Sequence, residues 1–222
     1  MVRSIRCASI TRLAHAGHAR LRGPGLLLLA ALVALQAAPL FSATARADCG
    51  EIDPVSLLPG AETPPGWAPV GPPRTAYTLT ELTELINGGA YLYDAHGFVA
   101  AVFQDYEGTA GSAPCATTLA MFNQGTAENA LALYNDPASG YGDAIPDWPG
   151  TGAARQREAI GALVLQFHEE CFYASITVTC SGNDALMVAR AQAEAILALL
   201  QSATPAPEST WGIIKTRFAD EE

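Results

Sequence analysis

Residues 162–180 read ALVLQFHEECFYASITVTC, and this stretch decides the fold class. If the chain turns at Glu169-Glu170, pairing 167 with 172, 165 with 174 and 163 with 176 gathers Leu163, Leu165, Phe167, Phe172, Ala174, Ile176, Val178 and Cys180 on one face. Val164, Gln166, His168, Cys171, Tyr173, Ser175, Thr177 and Thr179 share the other, more polar face. An antiparallel hairpin with one fully apolar face needs helices or a second sheet to cover it. Asn183 or Asp184 begins the cover: Leu186, Ala189, Ala193, Ile196, Leu197 and Leu200 form a helical stripe, with Arg190 and Glu194 able to pair on the outer side.

Upstream, strands and helices alternate. Leu79, Leu82 and Ile86 recur at helical spacing behind a Thr78/Glu81 capping box, and Asn87-Gly88 supplies a stop or kink. A second short helix is expected from Ala90 to His96, ending at Gly97. Phe98 to Tyr106 and Cys115 to Phe122 read as strands, joined by a turn-rich connection from Gly108 to Pro114. Thr126 can cap a helix to about Tyr134, with Ala127, Ala130, Leu131 and Tyr134 on one face. Residues 135–154 carry no hydrophobic period and many Gly, Pro and Asp residues; so long a connection is either a surface loop packed by Tyr141 and Trp148 or part of a site.

The first 47 residues have the layout of an export signal. Arginines at 3, 6, 12, 20 and 22 precede the apolar run Leu26 to Ala38, and Ala45-Arg46-Ala47 offers a cleavage site before Asp48. The apolar run is too short to span a bilayer as a helix, so no stable membrane anchor is expected after cleavage. Loss of residues 1–47 removes six of the twelve basic residues and none of the 22 acidic ones, leaving a formal charge of −16. Such a surface repels phosphate backbones, which argues against nucleic-acid binding. The expected organisation is a signal peptide at 1–47, a Pro/Gly-rich extended lead-in at 48–75 pinned to the surface by Trp67, one domain at 76–201 and a tail at 202–222. The tail is either loose or docked through Trp211, Ile213, Ile214 and Phe218.

Cys49, Cys115, Cys171 and Cys180 remain after the leader, an even number that suits two disulfides in an oxidising compartment. One continuous strand between Cys171 and Cys180 would hold them too far apart to bond, so their partners are Cys49 and Cys115, in either order.

Chemistry-bearing motifs are sparse. Asn87-Gly88-Gly89 has the glycines of a phosphate-cradling loop but lacks the Lys-Ser/Thr ending of a P-loop and the spacing of a dinucleotide fingerprint, so no cofactor is expected. His96 and His168 are the only histidines beyond the leader. Asp94-x-His96 and His168-Glu169-Glu170 each place a carboxylate near an imidazole, as a weak metal site or an oriented base would. Asp136, Asp143 and Asp147 are candidate calcium ligands with no EF-hand spacing. The preferred binding segment is Asn87, Gly88, Gly89, Tyr91, Tyr93 and His96.

Leu57-Leu58-Pro59-Gly60, Gly66-Trp67, Leu85-Ile86-Asn87-Gly88-Gly89-Ala90, Tyr91-Leu92-Tyr93, Gly97-Phe98 and the helix near Ala127 to Tyr134 together resemble an uncharacterised bacterial family of exported proteins. The similarity runs from about Leu57 to Gln201; Cys115, Cys171 and Cys180 lie outside its pattern. The resemblance implies an α+β domain of unknown function and assigns no catalytic residue. The expected protein is therefore an exported α+β domain, a mainly antiparallel sheet packed by helices and held by disulfides. Its expected role is non-catalytic binding of a small molecule or an envelope protein. The alternative is an extracytoplasmic hydrolase using His96 or His168 with nearby carboxylates.

Overall fold

The computed structural model describes residues 49–203; the segment expected to be an export signal, 1–47, and all of the expected tail but Ser202 and Ala203, which belong to the last helix, lie outside the described residues. Seven strands form one antiparallel sheet, in the order β1-β2-β3-β7-β6-β5-β4. They are β1 (Ala68–Ala76), β2 (Ala100–Ala110), β3 (Ala113–Asn123), β4 (Asp143–Ala144), β5 (Ala154–Ala159), β6 (Ala162–Glu169) and β7 (Phe172–Val178). The helices are α1 (Leu79–Ile86), α2 (Ala90–Ala95), α3 (Ala127–Asn135) and α4 (Asn183–Ala203).

The α+β architecture matches the expectation, and the two faces of the β6–β7 hairpin carry the residues that alternation assigns them. One face packs Leu163, Leu165, Phe167, Phe172, Ala174, Ile176 and Val178 with Leu119 and Met121 of β3 against Val188, Ala189, Ile196, Leu197 and Leu200 of α4. The opposite face packs Phe103, Phe122 and Tyr173 with Leu82 of α1, Ala90 of α2 and Leu133 and Tyr134 of α3. Full burial of each large aliphatic side chain contributes about 1.5–3 kcal/mol, so α4 alone secures much of the first face.

The hairpin register differs from the sequence reading by two residues. Leu163 pairs with Val178, Leu165 with Ile176, Phe167 with Ala174 and Glu169 with Phe172. The turn is Glu170-Cys171, with Glu170 at φ 47°, so Cys171 leaves the polar face and enters the turn. A two-residue slip preserves which face each side chain occupies, and for that reason alternation alone cannot detect it.

Other elements also depart from the expected layout. The Gly108 to Pro114 connection is mostly strand: β2 and β3 continue to a turn at Gly111-Ser112, with Ala110 opposite Ala113. The lead-in holds the edge strand β1, whose pairing with β2 shifts between Val70 and Arg74 around Gly71-Pro72-Pro73. Prolines cannot donate to a ladder, and an edge position with a bulge is where they are tolerated. Trp67 is a core residue, 1% exposed, rather than a surface pin. Its Nε1–H donates to the Thr109 carbonyl at 3.0 Å. The sequence carries no strand signal for β5, because Ala154–Ala159 reads ARQREA and lacks an apolar face. In α3 the buried residues are Ala130, Leu133 and Tyr134, while Leu131 is exposed.

Cys49 is bridged to Cys171 and Cys115 to Cys180, with Cα separations of 6.1 and 5.9 Å. The first bridge brings the start of the described chain to the β6–β7 turn. Buried Asn123 reinforces it, donating through Nδ2 to the carbonyls of Cys49 at 2.6 Å and Ile52 at 3.2 Å.

Candidate functional site

The helix α3 brings both histidines into one neighbourhood. At its C-terminal end Asp136 caps the helix and starts a short 3₁₀ turn, its Oδ1 accepting the Ala138 N–H at 2.8 Å. The other oxygen, Oδ2, lies 3.0 Å from His96 Nε2, which sits at the C-cap of α2. The His96 hydrogen bond, with a smaller contribution from the Ala138 N–H, holds the Asp136 carboxyl below its ordinary range.

His168 lies on β6 beside the first turn of α3. The connection before β5 is tied to Glu169, whose Oε1 accepts the Thr151 N–H and hydroxyl at 3.0 and 2.6 Å. Its Oε2 accepts the Gly152 N–H at 2.9 Å. This clamp sets the Ala153 N–H 3.1 Å from His168 Nε2. A backbone amide can only donate, so Nε2 is the acceptor and the neutral ring carries its proton on Nδ1. Burial lowers the imidazole pKa, opposed by the neighbouring Glu169 carboxylate. Gly152 is needed for this approach, since a Cβ there would strike the His168 backbone carbonyl.

Ala127, Glu128, Leu131, Thr151, Gly152, His168 and Glu170 line a cavity of about 140 Å³. That volume is well above the space one water needs and below the roughly 300–1,000 Å³ of pockets for drug-sized ligands. A second cavity of about 380 Å³ lies between β5 and the start of α4, lined by residues that include Asp143, Gln156, Glu158, Asn183 and Leu186. The 3₁₀ turn at Pro137–Ser139 is strapped to the sheet. Arg155 donates to Gln166 Oε1 and to Ser139 Oγ, each at 2.9 Å, and Gln166 Nε2 donates to the Ser139 carbonyl at 2.9 Å.

The segment favoured from sequence does not converge on either cavity. Asn87 is the left-handed C-cap of α1 and Gly88 follows at φ +89°, both exposed. Tyr91 is 69% exposed. Tyr93 turns inward instead and stacks on Phe122 at a centroid distance of 3.8 Å. His96 is engaged by Asp136. Asp136, Asp143 and Asp147 do not gather: among the described residues no group of three or more His, Cys, Asp or Glu side chains is placed to hold a metal ion. Of the cavity walls, Glu170 stands beside His168 in the motif read from sequence, whereas Glu128, Thr151 and Gly152 were missed. The only signal for them was the length of the 135–154 connection, which supplies Thr151 and Gly152.

No family model matches the chain, and no curated protein does. Among solved structures it is similar to the extracellular domain of PknH from Mycobacterium tuberculosis, at 14% identity over 64% of this chain and 93% of that one, with a TM-score of 0.39.

Proposed function

We propose that this chain is an exported, disulfide-bonded binding module of the cell envelope or its surroundings, without catalytic activity. The observation that carries the reading is the pairing of all four described cysteines into two long-range bridges, across 122 and 65 residues of sequence. Structural bridges of this kind form and persist outside the reducing cytoplasm. The leader at 1–47 and the resemblance to an exported family support the same compartment. Among the described residues no helix is long and apolar enough to cross a membrane.

Binding is favoured over catalysis by how the two histidines are engaged. His96 Nε2 is held by Asp136 and His168 Nε2 by a backbone amide. The hydroxyl nearest to His168 in the cavity wall, that of Thr151, already donates to Glu169. Among the described residues no serine or cysteine lines that cavity, so the nucleophile-and-base pairing of covalent hydrolysis has no counterpart among them.

Fractionation of the native host, with thiols trapped at lysis and the N-terminus sequenced, tests this reading. The expected protein starts at Asp48, lies in the periplasmic or secreted fraction and has no reactive thiol. A cytoplasmic chain with reactive cysteines overturns it. The hydrolase alternative draws on one observation, the placing of His168 with Glu128 and Glu170 around a single cavity. Hydrolysis of an ester or peptide substrate that is lost in His168→Gln, with the fold intact, would favour it.

A further inference from the structure

We propose that the hydrogen bond from the Ala153 N–H to His168 Nε2 is a proton-operated latch: when the imidazole takes up a second proton, the connection at 151–153 lets go of β6 and the cavity beside α3 loses that wall. The proposal goes beyond the binding reading above and stands without it. Its basis is geometric. The two nitrogens are 3.1 Å apart, and a backbone amide can only donate, so the contact exists only while Nε2 offers a lone pair. In the imidazolium both ring nitrogens are donors, and two N–H groups then face each other across the same distance.

The segment across the bond is lightly held. Thr151 and Ala153 are exposed; the remaining ties are those of Glu169 to Thr151 and Gly152 and one ladder bond, in which the His168 N–H donates to the Ala153 carbonyl at 3.1 Å. None of them gives the Ala153 N–H another acceptor. Gly152 packs so closely on β6 that a Cβ would strike the His168 carbonyl, so the repelled segment moves outward, away from the strand. The groups around the ring set where the latch works. Glu169 adjoins His168 on β6, and Glu128 of α3 and Glu170 of the turn line the same cavity. The Tyr134 ring packs on the imidazole at 5.0 Å, with Arg155 drawn over its face and bonded to Gln166 and Ser139. Burial lowers the imidazole below 6.5 and the Glu169 charge opposes that shift, so the latch is closed near neutral pH and opens on the acid side. Thr151, Gly152 and His168 are all walls of the cavity, and release therefore changes access to it.

The test is NMR of the ¹⁵N-labelled, disulfide-bonded protein, following the His168 ring and the exchange of the backbone amides together from about pH 7.5 to about pH 5 and below. After correction for the intrinsic pH dependence of exchange, the Ala153 amide should lose protection by at least about tenfold, with the same midpoint as the ring. Smaller losses are expected at Thr151 and Gly152, while the amides of β3 and β7 keep their protection. His168→Gln retains an acceptor but does not titrate, and should hold Ala153 protection constant over the range. A ring that titrates while Ala153 is unchanged overturns the proposal, as does a ring that stays neutral until the sheet unfolds. Protection lost evenly over the whole sheet marks global unfolding rather than local opening and overturns it too, as does the same loss in His168→Gln. Where that variant does not fold, the coincidence or separation of the two midpoints in the parent decides. None of these results bears on export or on the thiols, which the fractionation reads separately.

Discussion

His96 Nε2 stands 3.0 Å from Asp136 Oδ2, joining the end of α2 to the end of α3. Because the contact depresses the Asp136 pKa in the folded state, the stability it contributes is present above the ordinary carboxylate value of 3.8 and is lost as pH falls through the folded-state value. Asp136→Asn keeps an acceptor for the Ala138 N–H but removes the charge. The expected melting temperature of the variant is below that of the parent near neutral pH, with the two curves converging below pH 3.8. Melting curves recorded across pH check this; a constant offset down to the lowest pH contradicts it.

The other histidine predicts a separate acid sensitivity. Burial lowers the His168 pKa below 6.5, so the unfolded chain binds a proton that the folded chain resists. Stability should fall as pH drops from 6.5 toward the folded-state value, and level off below it. In His168→Gln, an amide oxygen can still accept from Ala153 N–H and that part of the pH profile should flatten. Urea titrations at pH 7.5 and 5 are the check.

Gly108 lies against the Trp67 indole so closely that a Cβ would stand 2.5–2.7 Å from its ring carbons. Gly108→Ala should therefore destabilise the fold by about 1–3 kcal/mol through overpacking. Gly60→Ala, where nothing lies within 4 Å, is the control and should change little. Denaturant midpoints that move equally in both variants would contradict the contact.

Gly88 and Gly89 should respond differently to the same change. Gly88 has φ +89° and Gly89 does not occupy the left-handed region. Gly88→Ala should cost about 1 kcal/mol, whereas Gly89→Ala should be neutral or slightly stabilising. A thermal melt of the two single variants distinguishes them.

The sequence was informative where burial is one-sided. Alternation placed Leu163, Leu165 and Phe167 on one face and Gln166 and His168 on the other, and Thr78 with Glu81 marked the start of α1, where Glu81 Oε2 accepts the Thr78 N–H at 3.0 Å. It was silent where structure depends on distant partners. Strand β5 is held by β6 and by Arg155 contacts, neither of which leaves a period in ARQREA. Trp67 looked like a surface residue because nothing nearby in sequence announces Gly108 as its partner. The cavity was hidden for a similar reason: Glu128, Thr151 and His168 come from three elements, and the Glu169 clamp that assembles them is a long-range set of hydrogen bonds. The Asn-Gly-Gly segment drew attention through its glycines, which the backbone uses to separate α1 from α2.

Each of the two bridges should contribute strongly to stability. Replacing Cys115 and Cys180 together by Ala should cost about 2–5 kcal/mol, read as a shift of the urea midpoint. A change within error would mean the bridge constrains nothing that the sheet does not already hold.

The account rests most directly on cysteine connectivity, and non-reducing peptide mapping of the protein isolated from its native host measures it. The prediction is linked peptides joining Cys49 to Cys171 and Cys115 to Cys180, with no thiol alkylated before reduction. Four alkylated thiols, or a bridge between Cys171 and Cys180, would contradict both the fold of the β6–β7 hairpin and the exported, disulfide-bonded module proposed from it.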